Sequence, residues 1–127
     1  MAHGTAHIGR DTYRTDIDVS GHRLVADEPT ALGGADAGPA PYDLILAGLG
    51  ACTAITLRMY ADRKDWPLDS VDVALRTVKG EHGLEIKRTL TLAGLDEEQR
   101  AQLADVAERT PVTLTLKGGL PIHTTLA

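Results

Sequence analysis

The chain has 127 residues, a formal net charge of −5, 3% aromatic residues with no Phe, and a single cysteine, Cys52. That length makes one domain the expectation, and 43% hydrophobic residues supply a core, which argues against disorder. The acidic balance and the scarcity of aromatics give no footing for a nucleic-acid partner, and one cysteine excludes both an internal disulfide and a cysteine-built zinc site.

The first 27 residues read as short strands. Ile17 and Val19 alternate with Asp16 and Asp18, Ser20-Gly21 is a hairpin turn, and the segment from His22 to Ala26 returns. Residues 27–41 (DEPTALGGADAGPAP) are rich in Gly and Pro, and a loop this long in a small domain is often functional. A long helix is predicted from Pro41 to about Arg63, because Pro suits a first helical turn and Asp43 favours a helix N-terminus. Asp65-Trp66-Pro67 ends it, and Arg58, Arg63 and Lys64 form its solvated end or serve as pairing partners for acidic groups. From Leu44 to Leu57 this helix is apolar or small all round, the pattern of a helix buried on every side. A chain of this size has too little material to wrap it, so a second copy is expected to do so in a tight homodimer.

The run from Val71 to Val78 and the run from Leu84 to Leu92 both alternate with period two, and residues 79–83 join them into a hairpin. Residues 96–109 read as a second helix with an acidic first turn, stopped by Pro111. The segments from Val112 to Leu116 and from Leu120 to Leu126 read as two final strands around Gly118-Gly119. The order is therefore β-β-β, helix, β-β, helix, β-β, an α+β chain with mainly antiparallel sheet.

Chemistry centres on Cys52. A free cysteine in an apolar helix packs as a small hydrophobe. A reactive one needs a helix N-terminus or a cation beside it. Gly48 and Gly50 offer two readings, close helix–helix packing or a helix break that would put Cys52 in the first turn of a second segment. The five histidines (His3, His7, His22, His82, His123) have no metalloenzyme spacing, so no metal is expected, and the Gly-rich loop lacks the Lys-Ser/Thr ending of a phosphate loop. The N-terminus has no apolar signal core, and the uncharged stretch of residues 44–57 falls short of the roughly twenty residues that span a bilayer. A cytoplasmic location and no membrane partner are expected.

Residues 38–67 (GPAPYDLILAGLGACTAITLRMYADRKDWP) resemble the central segment of the OsmC/Ohr family, with its Gly-Pro-rich loop, long helix and G-A-C-T stretch. Residues 107–116 (AERTPVTLTL) resemble the family's second motif, E-K-C-P-V-x-x-T-L. The resemblance implies an α+β fold with antiparallel sheets around a long buried central helix, in an intertwined homodimer. It also implies a thiol-dependent peroxidase that reduces organic hydroperoxides in oxidative stress defence and needs no cofactor. Carried over residue by residue, Cys52 matches the cysteine that attacks the peroxide. Thr110 stands where the second, resolving cysteine stands. Tyr42 aligns with the activating glutamate, leaving adjacent Asp43 as its substitute. Arg10 is the best match for the N-terminal arginine, with Arg14 the other option. A hydroxyl forms no disulfide, so the chemistry implied is that of a one-cysteine peroxidase reset by an external thiol or dithiol. The alternative is a non-peroxidase dimer of the same fold that binds a small apolar or thiol-reactive ligand.

Overall fold

The computed structural model describes residues 1–127 as two compact units, Met1–Ile45 and Leu46–Ala127, and the long helix runs through the boundary. The first unit holds an antiparallel three-stranded sheet in the order β1 (Gly4–His7), β2 (Thr15–Val19), β3 (His22–Ala26). The register pairs Ile17 with Leu24 and Val19 with His22 across the Ser20-Gly21 turn, where Asp18 Oδ1 accepts the Gly21 N–H at 3.2 Å. The Gly-Pro-rich segment that follows is organised by one carboxylate. Asp27, 3% exposed, accepts N–H bonds from Glu28 (2.7 Å), Ala35 (3.2 Å) and Ala37 (3.1 Å), and a single 3-10 turn, Thr30–Leu32, lies inside the loop they close.

Helix α1 spans Pro41–Arg63 without a break. Pro occupies its first position, where a missing N–H costs nothing, and Asp43 Oδ2 accepts the Ala40 N–H at 3.0 Å. The glycine pair does not interrupt it, so Cys52 lies mid-helix and not in the first turn of a second segment. Gly50 lies against Leu75 and not against another helix: a Cβ at this position would come within 2.8 Å of Leu75 Cδ1, the tip of a flexible side chain. The helix has the length and apolarity of a bilayer span by composition, and it buries one stripe of its surface. That stripe is Leu49, Thr53, Leu57 and Ala61. Burial on every side was the expectation. The opposite stripe of Ala47, Ala51, Ile55 and Met59 is exposed, because the hairpin and the second helix cover only one face.

Strands β4 (Ser70–Gly80) and β5 (Gly83–Ala93) form a long antiparallel hairpin with register from Ser70↔Ala93 to Gly80↔Gly83, closed by the two residues Glu81 and His82. Helix α2 (Glu97–Ala107) starts in a capping box: Asp96 accepts the Gln99 N–H, and the Gln99 side chain accepts the Asp96 N–H. The core is built from Leu57, Ala61, Leu68, Leu92, Leu103 and Ala107. With no Phe available, the aromatic contribution is one edge-to-face pair, Tyr60 and Trp66, with ring centroids 5.7 Å apart. At the helix end Arg58 is only partly solvated. It donates to the carbonyls of Leu68 (2.8 Å) and Asp69 (3.3 Å) and pairs with Asp62 at 3.6 Å, which ties down the connection to β4.

The chain end departs from the predicted pair of strands. Pro111 does not merely stop α2; it is the first residue of a third helix, α3 (Pro111–Gly118), with Thr110 in extended conformation as its N-cap. The alternation of Val112 to Leu116 signals a strand locally, but Pro at the first helical position and the buried Thr113 side chain fix a helix. Residues 119–127 form no strand, since no neighbouring strand of the chain pairs with them.

Candidate functional site

Cys52 is half-buried, and its Sγ lies 3.5 Å from the backbone nitrogen of Val112, whose N–H points at the sulfur. Val112 belongs to the first turn of α3, one of the four N–H groups a helix leaves without an internal partner. A helix N-terminus therefore does face Cys52. It comes from α3, sixty residues along the chain, and not from a break in α1. Thr56 Oγ1, one turn on, is the other polar neighbour at 4.0 Å.

Behind this contact lies a hydroxyl network held by Arg88. Its Nη1 donates to Thr53 Oγ1 (2.9 Å) and Thr113 Oγ1 (3.0 Å), and its Nη2 donates to the Ala107 carbonyl (2.9 Å). Thr110 Oγ1 and Thr113 Oγ1 are 2.6 Å apart, Thr113 also donates to Ala107 O, and Thr53 donates to Leu49 O at 2.7 Å. One guanidinium thus joins α1, the end of α2 and the start of α3. Two of the residues it ties are chain neighbours of the contact: Thr53 follows Cys52, and Thr113 follows Val112. No buried polar side-chain atom in the protein is left without a partner.

The sequence residues divide between the two units. Cys52 and Thr110 belong to Leu46–Ala127, where Thr110 is fully buried and committed to Thr113. Arg10 and Asp43 belong to Met1–Ile45. Arg10 is exposed in the bend before β2 and makes no ion pair; Arg14 pairs with Asp16 at 3.5 Å at the surface. The carboxylate of Asp43 is engaged by the Ala40 N–H, and Tyr42 is 60% exposed. Sequence reasoning missed Arg88. The signal was present: Arg88 falls on the same period-two face of β5 as Ile86, Leu90 and Leu92, so it was the one charged residue in an inward-facing row.

Beside Arg88 a cavity of about 370 Å³ opens, with Glu108 and Lys117 at its polar side. Lys117 Nζ sits 2.8 Å from Glu108 Oε2, and that hydrogen-bonded ammonium holds the Glu108 carboxyl below the usual carboxylate range.

Comparison with known proteins places these features in a wider group. The OsmC family model, described as OsmC-like protein, matches residues 33–125. An uncharacterized protein of Acinetobacter baylyi is 30% identical over 112 residues, covering 84% of this chain and 77% of its own length. Among solved structures, an OsmC-like protein from Mycoplasma pneumoniae superposes with a TM-score of 0.78 at 20% identity, over 93% of this chain and 88% of the other. The organic hydroperoxide resistance protein OhrB of Bacillus subtilis superposes with a TM-score of 0.64 at 26% identity, over 93% and 91%.

Proposed function

Since the chain belongs to the OsmC family and carries one cysteine, we propose that it is a one-cysteine, thiol-dependent peroxidase that reduces organic hydroperoxides. The observation that carries the reading is the Val112 N–H directed at Cys52 Sγ from the first turn of α3. That N–H has no partner within its own helix, so it is free to hydrogen-bond the sulfur or an oxygen attached to it. The Cys52 thiolate attacks the outer peroxide oxygen. An S–O bond forms, the O–O bond breaks, and the leaving alkoxide takes a proton to become the alcohol. Cys52 is then a sulfenic acid. Thr110 supplies no sulfur to condense with it, so an external thiol attacks, releasing water and forming a mixed disulfide. A second external thiol breaks that disulfide and restores Cys52. A dithiol delivers both sulfurs from one molecule. Asp43 and an N-terminal arginine, Arg10 or Arg14, are proposed to assist in binding and polarising the peroxide.

The assembly proposed is a cytoplasmic homodimer. Its support is the exposed apolar stripe of α1, with Ile55 54% and Met59 53% exposed, together with an unpaired C-terminal segment in which Leu120, Ile122 and Leu126 are all solvent-facing. A second reading, a non-peroxidase member that binds a small apolar or thiol-reactive ligand, is favoured by the burial of Thr110 in a complete hydroxyl network where the peroxidase pattern has a thiol. Turnover separates the two. Cumene hydroperoxide reduction with dihydrolipoamide is expected for the wild type and lost in Cys52→Ser; equal background rates in both proteins would leave the binding reading standing.

A further inference from the structure

The cavity beside Arg88 is walled by Leu49, Leu84, Ile86 and Leu116. Its volume falls within the roughly 300–1,000 Å³ typical of small-molecule sites. Leu84 and Leu116 remain 57% and 41% exposed, so an apolar occupant would remove leucine surface from water.

Charge defines the other end. Three charged side chains line the cavity, Arg88, Glu108 and Lys117. Glu108 and Lys117 form a direct pair and cancel each other. Arg88 takes part in none of the protein's ion pairs; its three hydrogen bonds all go to neutral oxygens, of Thr53, Thr113 and Ala107. A guanidinium has five N–H donors, so two remain uncommitted. Arg88 lies within Coulombic reach of Glu108, and the three charged groups together carry one net positive charge beside the leucines, which suits one anionic group on an apolar body. A planar carboxylate matches the guanidinium fork in shape and charge. A dianion would place its second charge against the already neutralised Glu108–Lys117 pair or against leucine. Cys52 is not among the residues lining the cavity, so binding here does not need the thiol.

We propose that this cavity is a binding site for a small amphipathic monocarboxylate, with the carboxylate on Arg88 and the alkyl chain against Leu49, Leu84, Ile86 and Leu116. The site is separate from the thiol contact, and its occupancy is independent of the peroxidase reading.

The test is an NMR titration of the full chain with octanoate, hexanoate, 1-octanol and octylamine. Octanoate is expected to bind saturably, with shifts centred on the Arg88 guanidinium and the methyls of Leu84 and Ile86. Two extra methylenes should tighten octanoate over hexanoate by up to about fifteenfold. Octylamine and 1-octanol should bind at least about tenfold more weakly, for want of the charge-assisted bond. Cys52→Ser should leave octanoate affinity unchanged. Leu84→Glu, at a position 57% exposed, should abolish binding by setting a carboxylate at the cavity wall while its circular dichroism spectrum and melt stay those of the wild type. The proposal is overturned by any of four results: no saturation by octanoate, equal binding of octylamine, shifts that map elsewhere, or wild-type affinity in Leu84→Glu. Loss of octanoate binding in Cys52→Ser would also overturn it, by assigning the ligand to the thiol.

Discussion

Replacing Arg88 by Met removes the guanidinium while keeping an unbranched side chain of similar reach. Three hydrogen bonds from a charged donor disappear, to Thr53, Thr113 and Ala107. Bonds to charged groups contribute about 1.5–3 kcal/mol each. The lower end applies here, because each acceptor keeps a second partner: Thr53 still donates to Leu49 O, and Thr113 still bonds Thr110 and Ala107. The methionine also recovers some apolar burial, leaving a net loss of about 3 kcal/mol. For a chain of this length that corresponds to a Tm lower by roughly 12 °C. Arg88→Lys keeps the charge but reaches from a single nitrogen, so it cannot span Thr53, Thr113 and Ala107 as two guanidinium nitrogens do, and about half the loss is expected. Thermal melts followed by circular dichroism measure both. The double variant Arg88→Met/Thr113→Val should cost less than the sum of its parts, because both changes delete the same bond. A drop in Arg88→Met below about 3 °C would refute the reasoning and make the network a surface arrangement competing on equal terms with water.

Three further outcomes are expected. Asp27 has its carboxyl held below the ordinary value of 3.8 chiefly by the Ala37 N–H, so its contribution to stability is present above 3.8 and disappears as the pH falls through the lowered folded-state value. The difference in urea midpoint between wild type and Asp27→Asn should therefore be largest at neutral pH and close up in strong acid; a constant difference would contradict the assignment. Thr110→Cys restores the second thiol of the family pattern, and one equivalent of organic hydroperoxide should then consume both thiols in a free-thiol assay while forming an intramolecular disulfide; an unreacted introduced thiol would show that position 110 does not reach the sulfur. Gly94→Ala forces a side chain into φ +92° and onto the Pro67 carbonyl, so a loss of about 1–3 kcal/mol is predicted, and a neutral result would reject the strained turn before α2.

Regular local signals made much of the fold legible. The β2–β3 hairpin, the full extent of α1, the β4–β5 alternation and the capped start of α2 follow from turn residues, period and capping chemistry that act within a few residues. The errors fall where a distant partner decides. In residues 112–116 the local alternation favours a strand, while the buried ties from Thr113 to Arg88 and Ala107 belong to a helix. The segment around Leu120–Leu126 has a strand's alternation but no strand of the chain beside it, and an alternating segment without a hydrogen-bonding neighbour gains nothing by extending. At the site, Cys52 and Thr110 are singled out by resemblance to the family motifs, while the N–H that faces the sulfur is not, because a backbone N–H has no side chain to announce it. The sequence suggested a helix N-terminus near the cysteine from the wrong source, since a glycine inside a continuous helix and a glycine at a break look alike in one dimension.

The central claim is that Cys52 is the atom that meets the peroxide. Exposing the reduced protein to one equivalent of cumene hydroperoxide with dimedone present, then mapping the modified peptide by mass spectrometry, tests it most directly. The account predicts a sulfenic-acid adduct on Cys52, formed within the time in which the alcohol product appears and suppressed by added dithiol. An unmodified Cys52 with the hydroperoxide left intact would contradict it.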